Sequence, residues 1–317
     1  MVIWLISMLG MIVYAMLNIV HHDAKLAIGQ KQAFRARQVA EMGINWAMNP
    51  AVKEYDRDIL DQTLEDGATF STKIQGEGGR MNINALLQQD ENSRLFLAKL
   101  FTLWGLKADD RDAPNELFDM LVDWTDAGDD NHSKGWEKQD YVAIHGENTP
   151  YPFNRPFYNL DEMLLVPGWD AVVANLPDWR DYFTIYSAGK VDLNEAEAKV
   201  LAAVALALEG TSDPERDFPD KLKLAEKLVQ DRWGPDGIED TEDDIKFTAE
   251  EMNAALEGLG LIPTDAAVTA MFGVNDQTTH IECIATVGDY RKRVVLIVRQ
   301  RTGTPQILSR EEVPLFQ

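Results

Sequence analysis

The sequence predicts an α+β fold: a long N-terminal hydrophobic helix, an antiparallel sheet drawn from early, middle and late segments, and a large inserted α-helical domain. Three observations carry this. An apolar run, Met1 to Val20, has no charged side chain, and its helical pattern continues through Ala24, Ile28, Phe34, Val39, Met42, Ile44 and Trp46 with no proline before Pro50. Alternating segments bounded by glycine-rich turns occur near residues 68–84 and 278–301. Between the early and middle strands lie roughly a hundred residues of helical pattern.

The N-terminal helix comes first. At 1.5 Å per residue, roughly 20 helical residues cross a hydrocarbon core of about 30 Å. Residues 1–22 are therefore read as the transmembrane part, and 23–50 as its amphipathic continuation. A cleaved signal would need a basic start and a small-residue cleavage site; here no Lys or Arg precedes Lys25, and His21-His22-Asp23 follows the run. A membrane helix running unbroken into a folded domain is the shape of a type IV pilin-like subunit. Lys25, Lys31, Arg35 and Arg37 lie just past the span, and by the positive-inside bias they favour a cytoplasmic main domain. A basic leader ahead of Met1 would balance or reverse that bias.

After a weakly amphipathic stretch to Leu64, residues 68–75 and 80–84 read as strands joined by a tight turn at Gly76-Glu77-Gly78-Gly79. Helical pattern covers 86–106, 114–125 and 159–165, with a turn at 170–176. Strand character returns at 182–191, where Tyr182, Thr184 and Tyr186 alternate. Helices are expected at 195–208, 219–233 and 248–259. The clearest hairpin is 278–287 with 291–301, joined by Gly288-Asp289-Tyr290, and a short strand is expected at 306–308. The run Val294–Val298 is apolar on both faces, as in a central strand.

With 30 basic and 53 acidic residues the net charge is −23, which repels phosphate and anionic lipid and excludes nucleic acid as a partner. A hydrophobic content of 45% excludes wholesale disorder. Cys283, the only cysteine, sits in an alternating run and is read as a small core side chain; no internal disulfide or cysteine zinc site can form. The five histidines show no metal-ligand spacing.

Four phrases, in order, resemble the K-type minor pseudopilins of the type II secretion system: Gly79-Arg-Met-Asn-Ile-Asn-Ala-Leu-Leu87, Leu121-Val-Asp-Trp-Thr-Asp126, Pro156-Phe-Tyr-Asn-Leu-Asp-Glu-Met-Leu-Leu-Val-Pro-Gly168 and Ile185-Tyr-Ser-Ala-Gly-Lys-Val-Asp-Leu-Asn194. The resemblance spans nearly the whole chain. It implies a pilin-like α+β domain from 51–84 and 182–317, interrupted by an α-helical domain at 85–181. It further implies an inner-membrane anchor, a periplasmic head, and a non-enzymatic place at the pseudopilus tip with I- and J-type minor pseudopilins, priming or capping assembly. Prepilin peptidase would act where a leader is present. Most pilins carry a Glu at the fifth mature position. Leu5 stands here, which suits K-type subunits, because a carboxylate in the bilayer is costly without a partner.

Two acidic clusters are candidate calcium sites, since calcium takes six to eight oxygens at about 2.3–2.6 Å. The first contains Asp123, Asp126, Asp129, Asp130 and Asn131, followed by Glu137 and Asp140. A helix end would place Asp123 and Asp126 one turn apart, with the Gly128 loop folding back on them; the spacing is not that of an EF-hand. Resemblance to calcium-binding K-type members supports this loop. The second contains Asp236, Asp240 and Asp244 around Gly237. One or two Ca2+ ions are expected. Leu164–Gly168 and Val191–Ala196 resemble parts of helix-hairpin-helix DNA-binding modules, but the surrounding Asp161, Glu162, Asp170, Glu195 and Glu197 favour a turn and a helix cap instead. Hydrolase, phosphate-loop and dinucleotide motifs are absent, so no catalytic residue is assigned. The competing readings are an anchored calcium-dependent binding protein unrelated to secretion and, more remotely, an anchored hydrolase.

Overall fold

The computed structural model describes residues 2–88, 91–106, 112–128 and 132–315. Along the chain run α1 (Val2–Met48), α2 (Arg57–Leu60), β1 (Asp61–Thr63), β2 (Thr69–Gly76), β3 (Met81–Asn82), α3 (Ile83–Leu87), α4 (Glu91–Leu103), α5 (Ala113–Thr125) and α6 (Lys138–His145). A 3-10 turn over Leu160–Leu165 leads to α7 (Trp169–Asn175), and a second over Trp179–Asp181 to β4 (Phe183–Thr184) and β5 (Val191–Asp192). Then come α8 (Ala198–Glu209), α9 (Pro214–Arg232), α10 (Met252–Gly258), α11 (Ala266–Met271), β6 (Phe272–Gly273), β7 (Thr278–Val287), β8 (Tyr290–Arg299) and β9 (Gln306–Leu315). This is the expected α+β class.

The chain forms two compact units, residues 1–75 with 280–317, and residues 76–279. The expected boundary placed only 85–181 in the inserted helical domain. In the structure the helices α8 to α11 group with that insert, because short parallel ladders tie it together. Met81 pairs with Phe183 across β3 and β4, and Val191 with Phe272 across β5 and β6.

In the first unit the sheet order is β1-β2-β7-β8-β9. The burial of β2 alternates, with Phe70, Thr72 and Ile74 inward, as period-2 side chains require. Val39, Ala40, Ile44 and Ala47 of α1 share one core with Phe70, Ile74, Ile281, Cys283, Ala285, Val294, Leu296 and Val298. Gly43 lets the helix come that close: a Cβ there would lie 2.5 Å from Cys283 Sγ and from Thr72 Oγ1. Burial pushes the Cys283 thiol up to about 11, so it packs as an apolar group. Val294–Val298 are all buried, as expected of a central strand.

The C-terminal end of α1 is held by Arg301. It is 7% exposed, and its Nη1 donates to the carbonyls of Ala47 (2.8 Å), Asn49 (3.1 Å) and Val52 (3.2 Å). A guanidinium there satisfies carbonyls the helix leaves open and complements the dipole. Upstream of Gly29 the described residues of α1 are exposed, and the most apolar window has mean hydropathy 2.1. By length and composition this helix can cross a membrane.

Between β7 and β8, Arg293 grips Glu282 through Nε at 2.7 Å and Nη2 at 2.9 Å, which holds the Glu282 carboxyl below its ordinary range despite partial burial. A depressed carboxylate contributes stability above its unfolded value of about 4.3 and loses it as pH falls through the folded value. With both side chains partly solvated, Glu282→Gln should cost about 0.5–1 kcal/mol at pH 7. The cost should begin to shrink as pH falls below about 4.3 and be gone once pH is below the folded value. Urea unfolding at the two pH values checks this, and a cost unchanged at pH 3 would contradict it.

The 76–279 unit has its own core. Its fully buried side chains include Trp124, Trp169, Trp179, Phe101 and Phe183. Trp169 meets Trp179 edge-on at 5.2 Å.

Several elements differ from expectation. The 68–75 and 80–84 strands do not form a hairpin. β2 ends in the sheet, whereas β3 pairs with β4, because residues 76–79 cross over instead of reversing. Gly76 N–H donates to Glu195, Glu77 N–H to the Thr278 carbonyl, and Met81 N–H to that of Tyr182. Asn82 then caps α3 through Ala85 N–H, ending the strand. The expected 182–191 strand shrinks to β4 and β5, the 170–176 turn is α7, and β9 runs ten residues. Asp213 caps α9 at Pro214, five residues before the expected start at Pro219.

Candidate metal centre

α5 ends in the sequence Asp123-Trp124-Thr125 with Asp126 as its C-cap, and α6 begins after Glu137. Asp123 lies on the inner side of the helix end and is fully buried; Asp126 is partly exposed. The chain returns so that His132 N–H donates to both Asp123 carboxylate oxygens at 3.2 Å. The His132 ring Nδ1 meets Asp123 Oδ1 and stands 3.9 Å from Asp126 Oδ2. Gly135 permits this wrap: a Cβ there would lie 1.8 Å from Asp123 Oδ2.

Behind this loop, Asp119 accepts from Lys134 N–H at 3.2 Å and pairs with Arg94. Trp124 packs against Tyr141, Tyr151 and Phe153 with ring centroids 5.2–5.7 Å away. Its carbonyl accepts from Asn154 N–H at 3.1 Å. Burial raises the Asp123 carboxyl above the usual range, and the hydrogen bonds and charge of His132 act against it. The ionised form is costly here, and a bound cation would offset that cost.

Among the described residues, Asp123, Asp126 and His132 are the group whose ligand atoms all come within 4.8 Å of one another. Asp129, Asp130 and Asn131, expected as ligands, lie outside the described residues. Glu137 and Asp140 do not join the group. They form a capping box at the start of α6, with Glu137 N–H donating to Asp140 Oδ2 at 3.0 Å. His132 went unanticipated: it stands nine positions past Asp123, and only loop closure brings it back.

The second cluster is organised by its own backbone. Asp236 Oδ1 accepts from Ile238 N–H at 2.8 Å, and Asp244 Oδ2 from Asp240 N–H at 2.9 Å. Asp236, Asp240 and Asp244 do not converge as a ligand group. Arg232, 8% exposed, binds the Leu193 carbonyl at 2.7 Å, and its own carbonyl accepts from Ile245 N–H. The charges of Glu239 and Asp244 bear on this buried guanidinium, so the loop already faces a cation. The two helix-hairpin-helix-like segments are the end of a 3-10 turn leading to α7 and, at 191–196, β5 with the turn ahead of α8, whose N-cap is Glu197.

Residues 79–177 match the sequence model of type II secretion system protein K. This segment belongs to the type II secretion protein K family. The fold agrees along the chain. GspK in the crystal structure of the GspK–GspI–GspJ complex from the type 2 secretion system of enterotoxigenic Escherichia coli superposes with a TM-score of 0.63 at 12% identity. The alignment covers 92% of this chain and 99% of that one. No curated protein sequence matches. Family match and fold together support a K-type minor pseudopilin, a structural component of secretion and not a known enzyme. The K-type segment contains Asp123, Asp126 and His132, whereas Asp236–Asp244 lie outside it.

Proposed function

We propose that this chain is the K-type minor pseudopilin at the tip of the type II secretion pseudopilus, where it initiates or caps assembly with I- and J-type minor pseudopilins. α1 anchors it in the inner membrane, with the head in the periplasm. The observation that carries this is the K-type segment at 79–177 within a fold aligned to GspK over 92% of the chain. The neighbour's presence in a complex with GspI and GspJ supports the choice of partners. The apolar start of α1 supports the tip position, since a foremost subunit offers no subunit ahead to pair a buried carboxylate.

Calcium is the cation that the carboxylate loop suits as part of this role. Asp123 and Asp126 would supply two oxygens, and the Gly128 carbonyl lies in the same loop. The ion would neutralise a carboxylate that the fold buries and so hold the end of α5 against the return strand of the loop.

The test mixes the soluble head from Asp23 onward, which keeps every buried residue of α1, with cognate I- and J-type heads. Size exclusion with light scattering, in calcium and then in chelator, should show a ternary complex that weakens in chelator. Folded partners that never associate would move the assignment to an anchored calcium-binding protein outside secretion. The ion site has its own check. Asp123→Ala with Asp126→Ala should remove most of the calcium-induced rise in Tm, and an unchanged rise would place calcium elsewhere. Leu5→Glu should impair secretion while leaving the head's melting curve unaltered; normal secretion would refute the argument from the uncharged helix.

A further inference from the structure

We infer that the membrane-facing end of the sheet unit, formed by the turn between β7 and β8 and the basic stretch of α1, seats on anionic phospholipid headgroups. The inference rests on α1 spanning a bilayer; it needs neither the secretion role nor a bound cation. The acidity of the chain is unevenly divided. Residues 76–279 hold 17 basic and 41 acidic side chains, whereas residues 1–75 with 280–317 hold 13 and 12. The net charge of −23 thus belongs to the helical unit. The unit that carries the membrane helix is free of the lipid repulsion that the whole-chain value implies.

Two close approaches fix the turn at a definite level along α1. A Cβ at Gly29 would lie 2.5 Å from the Tyr290 hydroxyl, and one at Gly288 would lie 2.6 Å from Gln32 Nε2. At 1.5 Å per residue, Gly29 stands about 13 Å beyond Val20, the end of the apolar run. The headgroup layer takes up roughly 5–8 Å of that distance. The remaining gap is no longer than a Debye length of about 8–10 Å, and a helix tilt of about 20° toward the turn narrows it. Lys25, about 8 Å beyond Val20, is level with the headgroups.

The charges at this level favour an anionic surface. Lys25, Lys31 and Arg291 are exposed and enter no ion pair among the described residues; Asp23 and Asp289, also exposed, oppose them. The other bases are already matched, Arg35 with Asp66 at 2.9 Å, and Arg37 and Lys292 each with Glu312 at 3.2 Å. One basic side chain close to an anionic surface favours contact by roughly fivefold. The excess of one free cation over the opposing acids therefore gives about a fivefold preference for anionic over zwitterionic lipid. Tyr290, 39% exposed, adds an apolar ring with a polar tip, a side chain suited to the membrane interface.

The experiment places the full chain in lipid nanodiscs of phosphatidylcholine, alone or mixed with phosphatidylglycerol, with a headgroup-nitroxide lipid as quencher. A fluorophore on Asp289→Cys reports the turn, and one on Thr304→Cys, about 30 Å away past the far end of β8, is the reference. Cys283 is buried, so only the introduced thiol is labelled. The ratio of quenched to unquenched fluorophore at 289 should be at least roughly fivefold higher in the anionic discs, since the label also removes an opposing acid. The difference should disappear at about 1 M salt, where the Debye length is about 3 Å. It should disappear as well in the Lys25→Gln, Lys31→Gln, Arg291→Gln variant, and the fluorophore at 304 should not respond. Equal quenching in the two lipids, or a triple variant that behaves as the parent, overturns the inference. Flotation with vesicles in high salt tells the two failures apart. A chain that does not float overturns the membrane-spanning reading of α1 and this inference with it, whereas a chain that floats with equal quenching overturns this inference alone.

Discussion

Replacing Arg301 by Met is expected to destabilise the α1–sheet unit by about 3 kcal/mol. Met preserves much of the buried stem but removes the donor shared by the carbonyls of Ala47, Asn49 and Val52. Each buried acceptor left without a partner costs about 1–3 kcal/mol. Relief of the guanidinium's own desolvation offsets part of the total. Surface pairs cannot make up the difference. Arg35 with Asp66, Arg37 with Glu312 and Arg310 with Glu41 also tie α1 to the sheet unit, but exposed pairs contribute roughly 0–1 kcal/mol. Urea unfolding of the head, followed by circular dichroism, should show an earlier loss of helix. Arg301→Lys should fall between, because an ammonium reaches fewer acceptors. A loss below about 1 kcal/mol in the Met variant would mean that water satisfies those carbonyls.

Trp124→Ala should cost the 76–279 unit about 3–5 kcal/mol, the range for removing a large buried aromatic. Trp124 is 0% exposed, and its ring joins α5 to Tyr141 on α6 and to Tyr151 and Phe153 on the following segment. The damage should reach the candidate metal centre as well, because Trp124 stands between Asp123 and Asp126 in sequence and its carbonyl receives Asn154. Any calcium affinity should therefore fall together with stability. Trp124→Phe, which keeps a ring in the cavity, should retain most of both. Normal cation affinity in a destabilised Trp124→Ala protein would show that the loop is organised independently of the aromatic cluster beneath it.

The parts of the fold legible in the sequence were those where many residues repeat one instruction. The apolar face of α1, the alternation along β7 and the apolar run in β8 each extend over several periods. β3 with β4 and β5 with β6 are two-residue ladders, too short for any periodicity, and they decide how the helical insert closes. α6 was hidden for a different reason. Lys138-Gln139-Asp140 opens it with polar residues, and Glu137 and Asp140, read from the sequence as ligands, form its capping box. The same ambiguity runs through the Asp236–Asp244 loop, where carboxylates meet their own backbone N–H groups. Carboxylate-rich spacing marks a region; it does not say whether the oxygens face an ion or an amide. His132 illustrates the converse, because no local pattern announces a side chain that loop closure brings back to the cluster.

The continuity of α1 has a mechanical consequence. At 1.5 Å per residue, Val2–Met48 is a rod about 70 Å long. Its buried residues, from Gly29 to Ala47, all lie in the C-terminal half, and Arg301 clasps the far tip. A tug applied at the membrane end and directed along the rod loads this whole seam in shear, so its contacts must fail together. A sideways tug at the same point peels the seam open one turn at a time, beginning at Gly29. The subunit is thus stiff toward axial extraction from a bilayer and compliant toward bending, an anisotropy set by where along one helix the buried face begins.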